Sequence, residues 1–315
     1  MPWSQHAGST SCIVGHSSTV VLPRDVIKIL AREQITGLTA VPPLYIQLSQ
    51  LDWPAGIDTH LRYFANTGGR MPRETLGLLR QRVPSAKPFL MYGLTEAFRS
   101  TYLPPEEVDR RPDSIGKAIP NAEILVLRED GSECVPDEPG ELVHRGALVG
   151  QGYWNDAEKT AERYRVLPAG VGGRVAALQL PEYAVFSGDN VRRDADGFLY
   201  FIGRRDEMIK TSGYRVSPTE VEEVLYATGL VGECAAFGVE HATLGQAIHV
   251  VATAPDGSAV IDLEALQVQC RRHLPAYMVP AGVDAVPGPL PRNPNGKIDR
   301  KRLAGDWLQR AQGQA

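Results

Sequence analysis

Gly203-Arg204-Arg205-Asp206-Glu207-Met208-Ile209-Lys210-Thr211-Ser212-Gly213-Tyr214-Arg215 separates two textures of sequence in this 315-residue chain. The stretch is dense in charge and holds two glycines. On composition it reads either as a solvated hairpin or as a mobile linker whose basic groups face an anionic ligand. Downstream, Ser217-Pro218-Thr219-Glu220 has the spacing of a capping box, with proline at the first helical position. Val221, Val224 and Leu225 form an apolar stripe behind it. Ala235 to Val239 and Ala247 to Ala254 read as strands, and Asp262 is placed to cap a helix ending at His273. These elements make an α+β module from residue 203 to 315.

Upstream, helices alternate with short strands. Pro23 to Gln34 and Leu44 to Leu51 have helical periodicity, with Leu38-Thr39-Ala40-Val41 as an apolar run between them. Leu61 to Ala65 and Phe89 to Tyr92 read as strands, and Pro72 is expected in the first turn of the intervening helix. Such alternation implies a partly parallel α/β sheet. After about Tyr102 the strands become short and alternating, broken by Asp130-Gly131 and Asp196-Gly197, pairs that favour φ > 0 turns. This middle region is expected to be a small β-barrel or a distorted antiparallel sheet. The expected organisation is an irregular segment (1–21), a large body (22–202, α/β to about 102 and β-rich beyond), and the α+β module.

Bulk properties narrow the function. Hydrophobic residues at 43% and charged residues at 22% suit a globular protein. No apolar run reaches the roughly 18 residues of a membrane span. A formal charge of −4 argues against a general nucleic-acid binder. Cys12, Cys134, Cys234 and Cys270 are scattered, suggesting neither a zinc site nor a disulfide framework, and the cytoplasm is the expected location.

Four constellations carry chemistry. Tyr92-Gly93-Leu94-Thr95-Glu96 follows a strand, where parallel sheets place ligand sites. An aromatic ring there can stack on a base, a hydroxyl can meet phosphate and a carboxylate can hold Mg²⁺. By itself the pentapeptide is also compatible with a strand end and a helix cap. Ser187-Gly188-Asp189 offers a carboxylate suited to two ribose hydroxyls. The third is the 203–215 stretch. The fourth, Asn293-Pro294-Asn295-Gly296-Lys297-Ile298-Asp299-Arg300, has a lysine after Asn-Gly that by itself could be only a turn lysine.

In this order and spacing the four resemble the core motifs of the adenylate-forming superfamily, which includes acyl-CoA synthetases and adenylation domains of peptide synthetases. Thr67-Gly68-Gly69-Arg70-Met71-Pro72, Gly140-Glu141-Leu142-Val143, Gly152-Tyr153-Trp154-Asn155 and Leu274-Pro275-Ala276-Tyr277-Met278-Val279-Pro280 extend the resemblance over roughly residues 22 to 303. Phe89 to Arg99 looks like acyl-CoA ligases associated with bacterial exosortase systems.

The resemblance implies roles residue by residue. Gly68 and Gly69 lie against adenine and acyl group, and Tyr92 stacks on adenine. Thr95 meets phosphate, and Glu96 ligates Mg²⁺. Asp189 takes the ribose hydroxyls with Arg204 close by, and Arg215 serves the phosphate side. Asp206 is the hinge of a mobile C-terminal domain, Gly213 serves the thiol tunnel, and Lys297 acts in adenylation. ATP/AMP, Mg²⁺ and coenzyme A are the implied cofactors. A small carboxylic acid is the implied substrate, with coenzyme A or a carrier protein as acceptor.

One departure matters. The family's Ser/Thr/Gly-rich loop ending in Pro-Lys-Gly is missing upstream of Thr67, and Gly8-Ser9-Thr10-Ser11 lacks its lysine. The expectation is a chain cut off upstream, with weakened grip on the outer phosphates. It would be a ligase, a nucleotide-binding remnant without turnover, or half of a split enzyme completed by a separate N-terminal fragment.

Overall fold

The computed structural model describes residues 22–168, 170–173, 181–293 and 297–313. The irregular N-terminal stretch, with Gly8 to Ser11, therefore lies outside the described residues. Two compact units emerge: residues up to Ser187 with Val191–Phe201, and Gly188–Asn190 with residues from Ile202 onward.

In the first unit, α1 (Pro23–Arg32) starts at a proline whose fixed φ suits a helical first turn, and buries Val26, Ile27 and Leu30. Next come β1 (Gly37–Ala40), α2 (Pro42–Ser49), β2 (Tyr63–Asn66), α3 (Arg73–Arg82) and β3 (Lys87–Leu94). β1, β2 and β3 pair in parallel, as the alternating pattern implied. Pro72 is the N-cap of α3 rather than a residue of its first turn; its ψ of 140° keeps it extended.

Beyond β3 the sheet reverses. β4 (Phe98–Leu103), β5 (Ser114–Ala118), β6 (Ala122–Leu127), β7 (Gly140–Gly146), α4 (Ala157–Arg163), β8 (Tyr164–Val166), β9 (Tyr183–Arg193) and β10 (Leu199–Arg204) follow. The sheet order is β1-β2-β3-β4-β5-β10-β9-β7-β6, with β8 beside β9. The β-rich region is thus an antiparallel continuation of the same sheet, and no pairing closes it into a barrel among the described residues. Gly197, at φ 85°, supplies the tight turn between β9 and β10, as the Asp-Gly pair suggested.

The second unit begins with a hairpin, β11 (Ile209–Thr211) and β12 (Tyr214–Val216), joined by Ser212 and Gly213 at φ 51° and 81°. Two positive-φ residues in a two-residue loop match the right-handed twist of the strands. Then come α5 (Pro218–Ala227), β13 (Cys234–His241), β14 (Gly245–Ala252), α6 (Leu263–His273), β15 (Gly282–Ala285) and α7 (Arg300–Gly313). Asp262 caps α6 through Ala265 N–H at 2.9 Å. Ser217 does not cap α5: its Oγ lies 2.7 Å from Thr219 Oγ1, so the expected capping box is not made from the serine side. β14 carries buried apolar residues on both faces because both are covered. Ile248, Val250 and Ala252 meet Val221, Leu225 and Leu266, while Val251 meets Phe237 and Leu303.

Tyr45 of α2 joins the parallel strands of the first unit. It is fully buried, with its hydroxyl 2.9 Å from Leu38 O and 3.0 Å from Ala65 O, so two strands share one donor. Burial pushes this phenol far above the usual tyrosine range, so it remains a donor. Tyr45→Phe should destabilise the first unit by about 1–3 kcal/mol through unsatisfied carbonyls, read as a lower urea midpoint at unchanged m-value.

Candidate functional site

In the first unit the candidate residues gather at two loops. After β2, Gly68 turns at φ 78°, and a Cβ on Gly69 would lie 3.3 Å from Pro42 Cγ. Asn66 secures this loop: its Nδ2 donates to Gly69 O at 2.8 Å, and its Oδ1 accepts from Met91 N–H at 3.1 Å. A buried amide thus fixes the glycines against β3. Arg70 adds an ion pair to Asp113 at 2.9 Å.

The second loop is the turn from β3 to β4. Tyr92, Gly93 and Leu94 belong to β3 itself, and Thr95, Glu96 and Ala97 form the turn. The motif is therefore a hairpin, not a strand end followed by a helix. Tyr92 is half-buried, stacked on His144 (centroids 5.9 Å, planes 6° apart) and tilted against Phe201 at 6.4 Å. Thr95 is exposed. Glu96 accepts a hydrogen bond from the Tyr153 hydroxyl at Oε1. Its other carboxylate oxygen is a hard donor, the type Mg²⁺ takes alongside phosphate oxygens; the residues present therefore fit the ion.

The second unit holds the remaining candidates. Asp189, 7% exposed, lies 3.2 Å from Arg204 Nη1, and Arg204 Nε also meets Asp206 at 3.0 Å. Burial works against the Asp206 carboxylate, yet Arg204 holds it below the usual range. Arg300 links to Glu207 and, through Nη2, to both oxygens of Glu222 at 2.8 and 3.1 Å. Gly213 and Arg215 lie on the β11–β12 hairpin, where Arg215 is exposed opposite Lys210. Between Arg204 and Arg215 the charge-dense stretch is therefore largely a hairpin with an ion-pair network at its base. Lys297 follows Pro294-Asn295-Gly296, which lie outside the described residues. Its backbone is closed onto Asn293 by N–H donation to Oδ1 (3.1 Å) and by Asn293 N–H to Lys297 O (2.8 Å). The side chain keeps exposed surface. Desolvation by its surroundings, then Arg204 and Arg300, draw its ammonium below the usual lysine range against the pull of Asp189 and Glu207.

Two family models match the chain, the AMP-binding enzyme over residues 2–154 and the AMP-binding enzyme C-terminal domain over residues 220–297. The chain belongs to the adenylate-forming superfamily. The first match includes residues 2–21, which the sequence reading left without a pattern. The chain is 32% identical over 300 residues to a long-chain-fatty-acid–CoA ligase of Salmonella typhimurium, covering 92% of itself and 49% of that protein. It is 32% identical over 283 residues to a 2-succinylbenzoate–CoA ligase of Geobacillus kaustophilus, at 89% and 53% coverage. Among solved structures it resembles the o-succinylbenzoate CoA synthetase of Bacillus subtilis in complex with its acyl-adenylate. That likeness has a TM-score of 0.72 and 26% identity, over 90% of this chain and 54% of that one. The chain spans about half the length of the curated relatives it matches.

Asn66, His144 and Tyr153 were not singled out by motif reading for any role. Asn66 adjoins Thr67-Gly68-Gly69, and Tyr153 lies inside a quoted motif, so proximity was the available signal. His144 stood out only as a titratable residue in the apolar run Leu142-Val143-His144. Neither ring nitrogen has a hydrogen-bond partner among the described residues, and burial lowers its pKa to about 3. The unfolded chain takes up this proton near 6.5, the folded chain only near 3. The stability contribution is therefore complete above pH 6.5 and is lost as pH falls through that window. Between pH 6.5 and 5 the loss should be about 1.5–2 kcal/mol. Urea unfolding of His144→Leu should lack this component of the pH dependence.

Proposed function

We propose that this chain serves an AMP-forming acid–thiol ligase, activating a small carboxylic acid with Mg·ATP and passing the acyl group to a thiol. What supports the reading is the pair of family domains, matched in order, on a chain that keeps Tyr92, Glu96, Asp189, Arg204 and Lys297. Relatives named as CoA ligases make coenzyme A the preferred acceptor, with a carrier protein second. A cytoplasmic setting belongs to the same proposal; among the described residues no helix is long and apolar enough to cross a membrane. We assign no partnership with nucleic acid.

In the reaction the acid's carboxylate attacks the α-phosphorus of ATP. The acyl–oxygen–phosphorus linkage forms, the α–β bridging bond breaks and pyrophosphate leaves. A thiol then attacks the acyl carbonyl and AMP departs. In the proposal Tyr92 stacks on adenine beside Gly68 and Gly69, Asp189 accepts from the ribose hydroxyls with Arg204 orienting its carboxylate, and Thr95 and Arg215 meet phosphate. Lys297 faces charge that grows on the phosphoryl oxygens, where a fixed cation is worth about 10²–10³ in rate. Mg²⁺, held by Glu96, would neutralise phosphate charge. Asp206 is the proposed hinge and Gly213 the residue serving the thiol step, a division of labour that a hinged domain permits. The 203–315 module is the proposed mobile domain.

These 315 residues hold no Pro-Lys-Gly phosphate loop, which favours a second reading for them in isolation: nucleotide binding without turnover. Calorimetry with AMP and Mg·ATP, followed by pyrophosphate release with a panel of acids, separates the two. Release with one acid class supports the ligase; AMP binding with no release supports the second reading. In any active form Lys297→Ala should lower pyrophosphate release at least about 10²-fold and leave AMP affinity nearly unchanged. Unaltered release in that variant would remove Lys297 from its role.

A further inference from the structure

Glu96 is held at two points in the turn between β3 and β4. Its backbone carbonyl accepts from Gly150 N–H at 2.7 Å, and its carboxylate Oε1 accepts the Tyr153 hydroxyl. Tyr153 is itself fixed. Its N–H donates to Thr160 Oγ1 at 2.9 Å, and Thr160 Oγ1 donates to Asp156 O at 2.6 Å, where Asp156 caps α4. Its ring stands edge-on to Tyr164, with centroids 5.8 Å apart and planes at 87°. The loop from Gly150 to Tyr153 and the first turn of α4 thus form a rigid bracket around one carboxylate.

The bond has a defined polarity. Tyr153 carries the proton of the pair, because a phenol holds its hydrogen at neutral pH and a carboxylate can only accept. A phenol donates one proton, so only Oε1 is engaged. Oε2 has no hydrogen-bond partner among the described residues. A carboxylate bound in this way has one oxygen spent on orientation and leaves the other available to a cation.

We propose that Tyr153 is the positioning residue for Glu96, fixing its carboxylate so that Oε2 is offered to the Mg²⁺ of the nucleotide. The inference rests on the reading of Glu96 as the metal ligand. Its physical content is that the rotamer freedom of Glu96 is given up on folding rather than on metal binding. Hydrogen-bond partners of this kind behind a metal ligand are worth about 10–100-fold in metal affinity.

The test uses Mn²⁺ as a probe, titrated into the full chain at saturating AMP, with free Mn²⁺ read by electron paramagnetic resonance. Tyr153→Phe keeps the ring against Tyr164 and removes only the hydroxyl. It should weaken Mn²⁺ binding at least about 10-fold while AMP affinity in chelator and the melting temperature stay at the wild-type values. A merely structural role would move the last two and not the first. Glu96→Gln is the control on the underlying reading. If it loses Mn²⁺ while Tyr153→Phe binds as wild type, the positioning role is wrong and the ligand role stands. If Glu96→Gln binds Mn²⁺ as wild type, or wild type binds none, the ligand role falls and takes the inference with it. Should Tyr153→Phe not fold, the near-ultraviolet tyrosine difference spectrum on adding Mg²⁺ and AMP decides. A perturbation present in wild type and missing in Glu96→Gln supports the coupling, and no perturbation in wild type overturns it.

Discussion

At Gly93 and Gly116 the backbones of β3, β4 and β5 approach so closely that no side chain fits between them. A Cβ on Gly93 would fall on Phe98 O, and one on Gly116, at φ 84°, on Tyr102 O. This close approach lets β3 fold back into β4 with a register shift between Tyr92 and Gly93, and lets β5 carry the sheet on to β10. Most of the first unit's candidate chemistry depends on it. The reversal leaves Tyr92 half-buried against His144 and Phe201, and puts Thr95 and Glu96 at the tip of the hairpin. Any larger residue at Gly93 would push β4 away and take Glu96 off its bonds to Gly150 and Tyr153.

The second unit depends on charge compensation. Glu222 is buried, and desolvation raises its pKa against the pull of Arg300 and the Ala236 N–H that donates to it at 2.8 Å. Removing one partner from such a pair strands a charge, typically at a cost of about 3–5 kcal/mol. Arg300 also reaches Glu207, and Arg204 reaches Asp206 and Asp189, so acid and base alternate through the base of the hairpin. Lys297 is within electrostatic reach of this network and is held near two arginines as well as two carboxylates. A lysine so placed carries its charge less comfortably than one in water, and an incoming anionic oxygen would relieve the strain.

Polar groups in the first unit divide into two kinds. Tyr45 and Asn66 spend their hydrogen-bonding capacity on backbone, fixing strands and the glycine loop. His144 spends none, although it sits among apolar residues opposite Ile124, and burying it unpaired opposes folding. What it gains is a parallel stack with Tyr92, the ring proposed to meet adenine.

Much of this was legible in the linear chain because local physics sets it. Helical periodicity placed α1 and α2, the second two residues late because its prolines were not read as a helix start, and Pro218 behind Ser217 marked the start of α5; Asp262 capped α6; Asp196-Gly197 turned between β9 and β10; the alternation of helix and strand implied the parallel β1-β2-β3 set. Ordered motifs carried the family. Tertiary structure alone decided the rest. Whether Tyr92 to Glu96 led into a helix or a hairpin turned on backbone clearance at Gly93, a contact with a strand not yet formed in sequence. Ser217 was denied its capping role by a competing hydroxyl, and the β-rich region continues the first sheet in antiparallel pairing, with no closure among the described residues, because pairing partners, not strand patterns, determine closure. Glu96 gained Tyr153 across 57 residues, and a bond of that span leaves no periodic trace: sequence spacing records neighbours along a helix or strand, whereas this pair is brought together only by the fold.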